Sequence, residues 1–337
     1  MENEVKMILN LNLYEDILRI AQSDIDFSKF KNKTVLISGA GELLGFYLVC
    51  ALLISNDING TNAKIITLDK DDSLFKIYGK LTHRNDIDFI VSSDFSNLQN
   101  NKADFFIHTQ KPENEAEICN IINYIKTNKC KSVICSFSDI YGDVFNGQDI
   151  ISEEDIGYCD SYKPESSSIQ LQRLFETAAI SASKEFNLDI KLSRLCQVFG
   201  YREYGNKTDY IKIFKKVADK ENIEITQADK TLSSYIYVTD AAEALFTLLT
   251  KGKSSEIYNV SSGFVASNHI IAKYCVKLFE HLGIKIIYKD KEKTLSPMAP
   301  TLDALDNSKL KALGFSARTD MQNGIVRAIK NLYEERE

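Results

Sequence analysis

The sequence predicts an α/β fold, a doubly wound parallel sheet with a smaller C-terminal cap, and three observations carry that prediction. Short β-branched runs alternate with helical patterns through the first two thirds of the chain, the signature of strands joined by helical crossovers. Most of these runs are apolar nearly throughout, as strands covered on both faces must be. A glycine-rich turn, "SGAGELLG" (38–45), joins the first run to the first long helical pattern.

Taken in order, "LNLYEDILRIAQ" has helical spacing, and "DIDFSKFKNK" leads from it into the first strand. Residues 1–32 therefore read as an N-terminal helical extension. The runs "KTVLISG" (33–39), "KIITLD" (64–69), "DFIVSS" (88–93), "DFFIHT" (104–109) and "KSVICSF" (131–137) read as strands. Between them, "ELLGFYLVCALLISN", "DSLFKIYGKL" and "EAEICNIINYIKTN" read as helices. A long helix, "SIQLQRLFETAAISASKEF", and a sixth strand, "DIKLSRL", complete a core unit over 33–195. The later pair "SSYIYVTDAAEALFTLL" and "EIYNVSS" has the same character, so 234–262 is predicted to return to that unit. Residues 196–233 and 263–337, with Pro297 and Pro300 in a loop, are left for the cap.

Composition narrows the function classes. A chain of 337 residues with 44% apolar content can bury a large core, and its net charge of -6 comes without a basic tract. Nucleic acid is therefore not an expected partner. The longest apolar run, "FYLVCALLI", is too short to cross a bilayer. No charged-then-apolar leader opens the chain, which points to a cytoplasmic protein. Seven scattered cysteines, without a C-x-x-C pair or a histidine cluster, read as buried thiols rather than disulfides or zinc ligands.

The glycine turn follows a strand and opens a helix, the context in which glycines let a backbone approach a pyrophosphate at a helix N-terminus. Gly39, Gly41 and Gly45 are the candidate phosphate-loop glycines. Asp69 closes the second strand, where an acid can bind an adenosine ribose. Asp94, after the third, is placed for an adenine edge. Glu42 holds the central position of a G-x-x-G-x-x-G spacing, where its carboxylate would crowd and repel a phosphate. A dinucleotide or nucleotide is thus expected to bind, in weakened form.

The order of these pieces resembles the extended short-chain dehydrogenase/reductase family, the NAD-dependent epimerases and dehydratases of nucleotide sugars, with a Rossmann fold. The likeness runs from about residue 30 to 335 and rests on seven motifs in family order. They are "KTVLISGAGELLG", "ADFFIHT" with His108, "SVICSFSDIYGD", "FNLDIKLSRLCQVFG", "SSYIYVTDAAEAL", "EIYNVSSG" and "ALDNSKLKALGF". The resemblance implies a mechanism in which a Tyr removes a sugar hydroxyl proton while hydride passes to NAD. A nearby Lys lowers the phenol pKa, and a Ser or Thr holds the sugar oxygen.

This chain departs from that pattern at every one of those positions. In the family the Glu of Y-x-x-x-K-x-x-x-E lies eighteen residues before the Arg ending the sixth strand, and Glu176 and Arg194 keep that spacing. Gln172 then falls where Lys is expected and Ser168 where Tyr is expected. Phe137, four residues before Tyr141, takes the Ser/Thr position. An aliphatic hydroxyl, an uncharged amide and an apolar ring cannot reproduce the implied chemistry. Tyr162, in "YKPES" with Lys163, is the candidate substitute, although adjacent residues do not share a helix face. Ser233 stands where the family usually places a diphosphate-binding Arg, and Tyr201 replaces a Pro. The stretch from His108 to Cys135 is shorter than the family's, which normally includes a loop at the nicotinamide end.

Three functional expectations follow, the last of them a nucleotide or NAD(H) sensor without turnover. The first is a catalytically impaired relative, a pseudoenzyme that binds a partner. That partner is a second copy or an active paralogue, reached through the helices near 114–127 and 165–185 that pair in family dimers. Ile169, Leu171, Leu174, Phe175 and Ala178 supply apolar surface on the second helix. The alternative is an active epimerase, dehydratase or decarboxylase of nucleotide sugars in surface-glycan precursor synthesis, using acids such as Asp139, Asp160 or Glu165. A nucleotide sugar is the expected small ligand in either case.

Overall fold

The computed structural model describes Val5 and residues 9–334 apart from 71, 93, 99–100, 143–149, 201–208, 227–231 and 290–303. The chain opens with α1 (Leu11–Ala21), started by Asn10, whose side-chain oxygen accepts from the Leu13 N–H at 2.8 Å. It continues through β1 (Thr34–Ser38), α2 (Leu43–Asn59), β2 (Lys64–Asp69), α3 (Ser73–Tyr78) and β3 (Ile87–Val91). Next come β4 (Phe105–His108), α4 (Glu115–Asn128), β5 (Lys131–Phe137), α5 (Ser167–Phe186) and β6 (Ile190–Leu195). The remainder comprises β7 (Gln197–Phe199), α6 (Asp209–Ala218), β8 (Ile223–Ile225), β9 (Ser233–Tyr237), α7 (Val238–Lys251) and β10 (Ile257–Val260). It closes with β11 (Phe264–Ala266), α8 (Asn268–Leu278), β12 (Ile286–Tyr288), α9 (Ser308–Lys311) and α10 (Met321–Glu334).

Seven strands form one parallel sheet in the order β10-β6-β5-β4-β1-β2-β3. The chain runs outward from β1 to β3, then crosses back to place β4 on the other side of β1. That reversal leaves a crevice at the carboxyl ends of β1 and β4, where Ser38 and His108 are register partners. The alternating sides of each strand enter two cores. Val35 and Ile37 of β1 pack with α2 and α7, whereas Leu36 packs with α4 and α5. Every residue of α2 from Leu43 to Ser55 is buried, because the sheet covers one side and α1 and α7 cover others.

The five early strands and the helices between them lie where the apolar runs predict, within three residues at each end. Four features differ. Residues 234–262 return to the large sheet except for their first strand: α7 packs against β4, β5 and β6 and β10 joins the sheet, whereas β9 pairs with β7 and β11 in a three-stranded sheet. The cap contains a parallel pair, β8 and β12, too short to stand out in the sequence. The N-terminal helix is not a separate extension but part of the core, with Ile17, Ile20 and Asp16 fully buried. Asp16 accepts from Tyr237 Oη of β9 at 2.5 Å and pairs with Arg327 of α10, tying both ends of the chain together. All seven cysteines are free and six are buried; Cys119 is exposed. Pro297 and Pro300 lie outside the described residues.

Candidate functional site

The crevice begins where β1 turns into α2. Gly39 has φ +76°, in the left-handed region, and a Cβ there would lie 2.3 Å from Thr109 Oγ1 and 2.7 Å from Gln110 Cγ. A Cβ on Gly45 would lie 2.1 Å from the Gly39 carbonyl oxygen, so the helix rests directly on the turn. The Gly41 N–H donates to Asp69 Oδ2 at 2.7 Å, and Lys70 N–H donates to Asp69 Oδ1 at 2.7 Å. The acid closing β2 thus orients the glycine turn, and the structure brings Gly39, Gly41, Gly45 and Asp69 together. Glu42 occupies the position before α2 with an exposed side chain that caps no helical N–H. Gln110 Nε2 reaches Glu42 Oε1 at 3.4 Å from across the crevice.

Asp94 follows β3 on the same side. Its carboxylate accepts from the Ser96 N–H at 2.8 Å, from Ser96 Oγ at 2.5 Å and from Asn120 Nδ2 at 3.0 Å. The Ser96 bonds hold its pKa below the usual carboxylate value.

The opposite wall carries the positions where the resemblance expects catalysis. Phe137 ends β5, Ser168 is exposed in the first turn of α5, and Gln172 is buried one turn on. Gln172 Nε2 donates to Asp139 Oδ1 and Oδ2 at 3.3 and 3.4 Å. Its Oε1 is buried without a hydrogen-bond partner among the described residues. An ammonium does enter this wall, but from the loop after β4. Lys111 Nζ pairs with Asp139 and lies 5.1 Å from the Phe137 ring centroid. Gln110 and Lys111 are the residues that motif reading missed. The available signal was their place, two long polar side chains directly after the strand that borders the switch point.

The candidate substitute stays outside the crevice. Tyr162 is 98% exposed, and its N–H donates to Asp160 Oδ1 at 3.0 Å. Lys163 pairs with Asp160 at 3.7 Å, and Glu165 is exposed. Ser233 lies at the start of β9, and Tyr201 falls outside the described residues.

Two further groups are structural. His108 is fully buried, shares a 2.7 Å hydrogen bond between Nδ1 and Ser38 Oγ, and has its pKa pushed down to about 3 by burial and by the charge of Lys70. Its imidazole is neutral at physiological pH. Beneath α5, Arg194 donates to both Glu176 carboxylate oxygens, Nε to Oε1 at 3.0 Å and Nη2 to Oε2 at 2.7 Å. Arg194 Nη1 donates to the Glu153 carbonyl at 2.7 Å, and the guanidinium stacks on Tyr141 at 4.9 Å. Tyr141 donates to Asn259 Oδ1, and burial raises its pKa to about 12, which rules it out as a neutral-pH base.

The crevice is therefore two unlike halves. On the β2–β3 side, the glycine turn, Asp69 and Asp94 fit the adenosine end of a dinucleotide. On the β5–α5 side, Phe137, Lys111, Asp139 and Gln172 contact one another across the wall. Among the described residues no three His, Cys, Asp or Glu side chains gather as a metal site, and no helix is long and apolar enough to cross a membrane.

Comparison with known proteins places this architecture. The model of the NAD dependent epimerase/dehydratase family matches residues 35–261. The bovine (Bos taurus) dTDP-D-glucose 4,6-dehydratase is 24% identical over 153 residues, 44% of this chain and 42% of that protein. The chain thus spans less than half the length of that relative. Among solved structures, the Methanothermobacter thermautotrophicus epimerase Mth375 superposes with TM-score 0.74 at 18% identity, covering 94% of this chain and 96% of that one. The Bacillus anthracis dTDP-glucose 4,6-dehydratase, solved in complex with NAD, gives TM-score 0.73 at 16% identity, covering 90% and 97%. At such identities the superpositions establish the shared fold, while the family match extends over well over half of the residues. The chain belongs to the NAD dependent epimerase/dehydratase family.

Proposed function

We propose that this chain is a nucleotide-binding relative of the nucleotide-sugar epimerases and dehydratases that has lost hydride transfer and acts as a non-catalytic partner or binding protein. One observation carries the reading. Where the mechanism needs a phenolate, an ammonium and a hydroxyl, the chain has Ser168, Gln172 and Phe137, and the Gln172 amide is turned toward Asp139. A serine hydroxyl is far less acidic than a phenol, and an amide supplies no charge to lower its pKa. Lys111 does bring an ammonium to the wall, but that charge is paired with Asp139 and no phenol stands beside it among the described residues. NAD binding keeps its adenosine contacts and is weakened at its nicotinamide end.

The partner is reached through α4 and α5. Leu174 is exposed on α5 at 46%, whereas Ile169 and Phe175 are buried in their own domain. The outward apolar surface is therefore narrower than the sequence pattern implies, which suits a specific pairing with a related chain. Incubation with UDP-, dTDP-, GDP- and CDP-sugars plus NAD, followed by mass spectrometry, tests the loss of chemistry. No product is expected; steady conversion of any one of them overturns the reading. A stable homodimer as the sole assembly in the native cell would count against a paralogue partner.

A further inference from the structure

We infer that a recess at the amino ends of β1, β4 and β5, at the other end of the strands from the crevice, binds a small compound carrying a chain of phosphate groups. The recess has a volume of about 540 Å³, within the range of small-molecule sites. Lys29, Lys33, Lys129 and Lys131 line it, and Asp104 is the acid among its lining residues. In a chain of net charge -6, four ammonium groups thus gather around a single carboxylate. Phe105 and Leu249 add apolar wall. Charges of one sign beside such low-dielectric surface focus their field into the space between them.

Ordinary structural duties account for two of the four lysines. Asp104 pairs with Lys33 at 3.0 Å through Oδ1 and accepts from the Thr34 N–H at 2.9 Å through Oδ2, so both of its oxygens are engaged. The carboxyl ends of α4 and α7 reach the recess, where Lys29 donates to the Thr250 carbonyl at 2.9 Å. Lys129 and Lys131 are exposed, and among the described residues neither ammonium has a carboxylate or carbonyl acceptor. Their surroundings are already cationic. Lys191 of β6 is buried and pairs with Asp189 at 2.5 Å. Burial pushes its pKa down, Asp189 opposes the fall, and the charges of Lys131 and Lys29 add to it. A polyanion seated among these lysines replaces their mutual repulsion with attraction. Phosphate oxygens suit the task, because they accept charge-assisted hydrogen bonds from several ammonium groups at once. None of these residues belongs to the glycine turn, so the inference stands apart from the nucleotide-site reading.

Calorimetric titration of the full chain with sodium tripolyphosphate at fixed ionic strength tests this. One equivalent is expected to bind, roughly tenfold or more tighter than orthophosphate. The Lys129→Gln/Lys131→Gln variant is expected to lose roughly tenfold or more of that affinity. The Lys273→Gln/Lys277→Gln variant removes the same charge from exposed positions on α8 and is expected to stay within about threefold of the unaltered chain. Absence of saturable binding to the unaltered chain, or an equal loss in the two variants, overturns the inference. So does an affinity that Lys129→Gln/Lys131→Gln leaves unchanged, which would put the anion elsewhere on the surface.

Discussion

Removing the Arg194 guanidinium is expected to destabilise the protein by about 4 kcal/mol, the middle of the range for breaking a buried ion pair from one side. The side chains of Arg194 and Glu176 are 4% and 7% exposed, so Arg194→Met leaves the Glu176 carboxylate without charge compensation or water. It also orphans the Glu153 carbonyl, which alone is worth roughly 1–3 kcal/mol. These losses share one site and do not simply add. With an unfolding entropy of about 2.1 cal/mol/K per residue, roughly 0.7 kcal/mol/K here, the expected fall in Tm is about 6 °C. Glu176→Leu alone should act similarly, since it leaves a buried guanidinium unpaired. The double variant should recover most of the loss, because an apolar pair leaves no buried charge. Urea denaturation of the four proteins supplies the assay. If both single variants unfold within about 1 kcal/mol of the parent, or if their effects add, the pair is not the buried, mutually dependent unit described here.

Three other outcomes are expected. Gly45→Ala forces a Cβ against the Gly39 carbonyl, a backbone atom that cannot swing aside, and should cost about 1–3 kcal/mol while weakening nucleotide binding; thermal unfolding unchanged by the substitution would contradict the close approach. Glu42→Gly should tighten NAD binding by roughly 3- to 30-fold, the effect of removing one like charge near a phosphate at a partly solvated site; equal or weaker binding would remove Glu42 as an obstacle. Glu243 has its pKa raised from 4.5 to about 7 by burial, with Asp240 adding to the rise and Arg318 and Arg19 opposing it. A raised acid pKa means the folded state holds its proton more tightly, so this stabilisation is complete below about pH 4.5 and is lost as pH rises through 7. Glu243→Gln should therefore gain stability relative to the parent between pH 5 and 8, by on the order of 2–3 kcal/mol; a difference independent of pH would contradict the shift.

The parts of this fold legible in the sequence are those whose physics is local. β1, β2, β4 and β5 are mostly apolar runs because both faces of a parallel sheet are covered, and the Gly39–Gly45 turn is marked by its spacing. The choice of sheet for β9 was hidden, since its residues alternate no differently for pairing with β7 than with β6. Three-residue strands such as β8 and β12 are too short for periodicity to register. Likewise, helical spacing gives no sign that Asp16 is buried, and only the meeting of α1, β9 and α10 buries it. In the site, the Glu176–Arg194 spacing served in the sequence only to set the register, and the ion pair the two form emerged from the structure. The reach of Gln110 and Lys111 across the crevice depends on where two loops face each other, and no spacing rule encodes that.

The loss of hydride transfer is tested most directly by a single-turnover experiment. The protein, in excess over NAD, is mixed with each nucleotide sugar while absorbance at about 340 nm reports reduced nicotinamide, the product of hydride transfer from the sugar. No rise is expected with any of them. A rise approaching one reduced nicotinamide per bound NAD would contradict the account, because it would require a working base where the chain presents Ser168, Gln172 and Phe137.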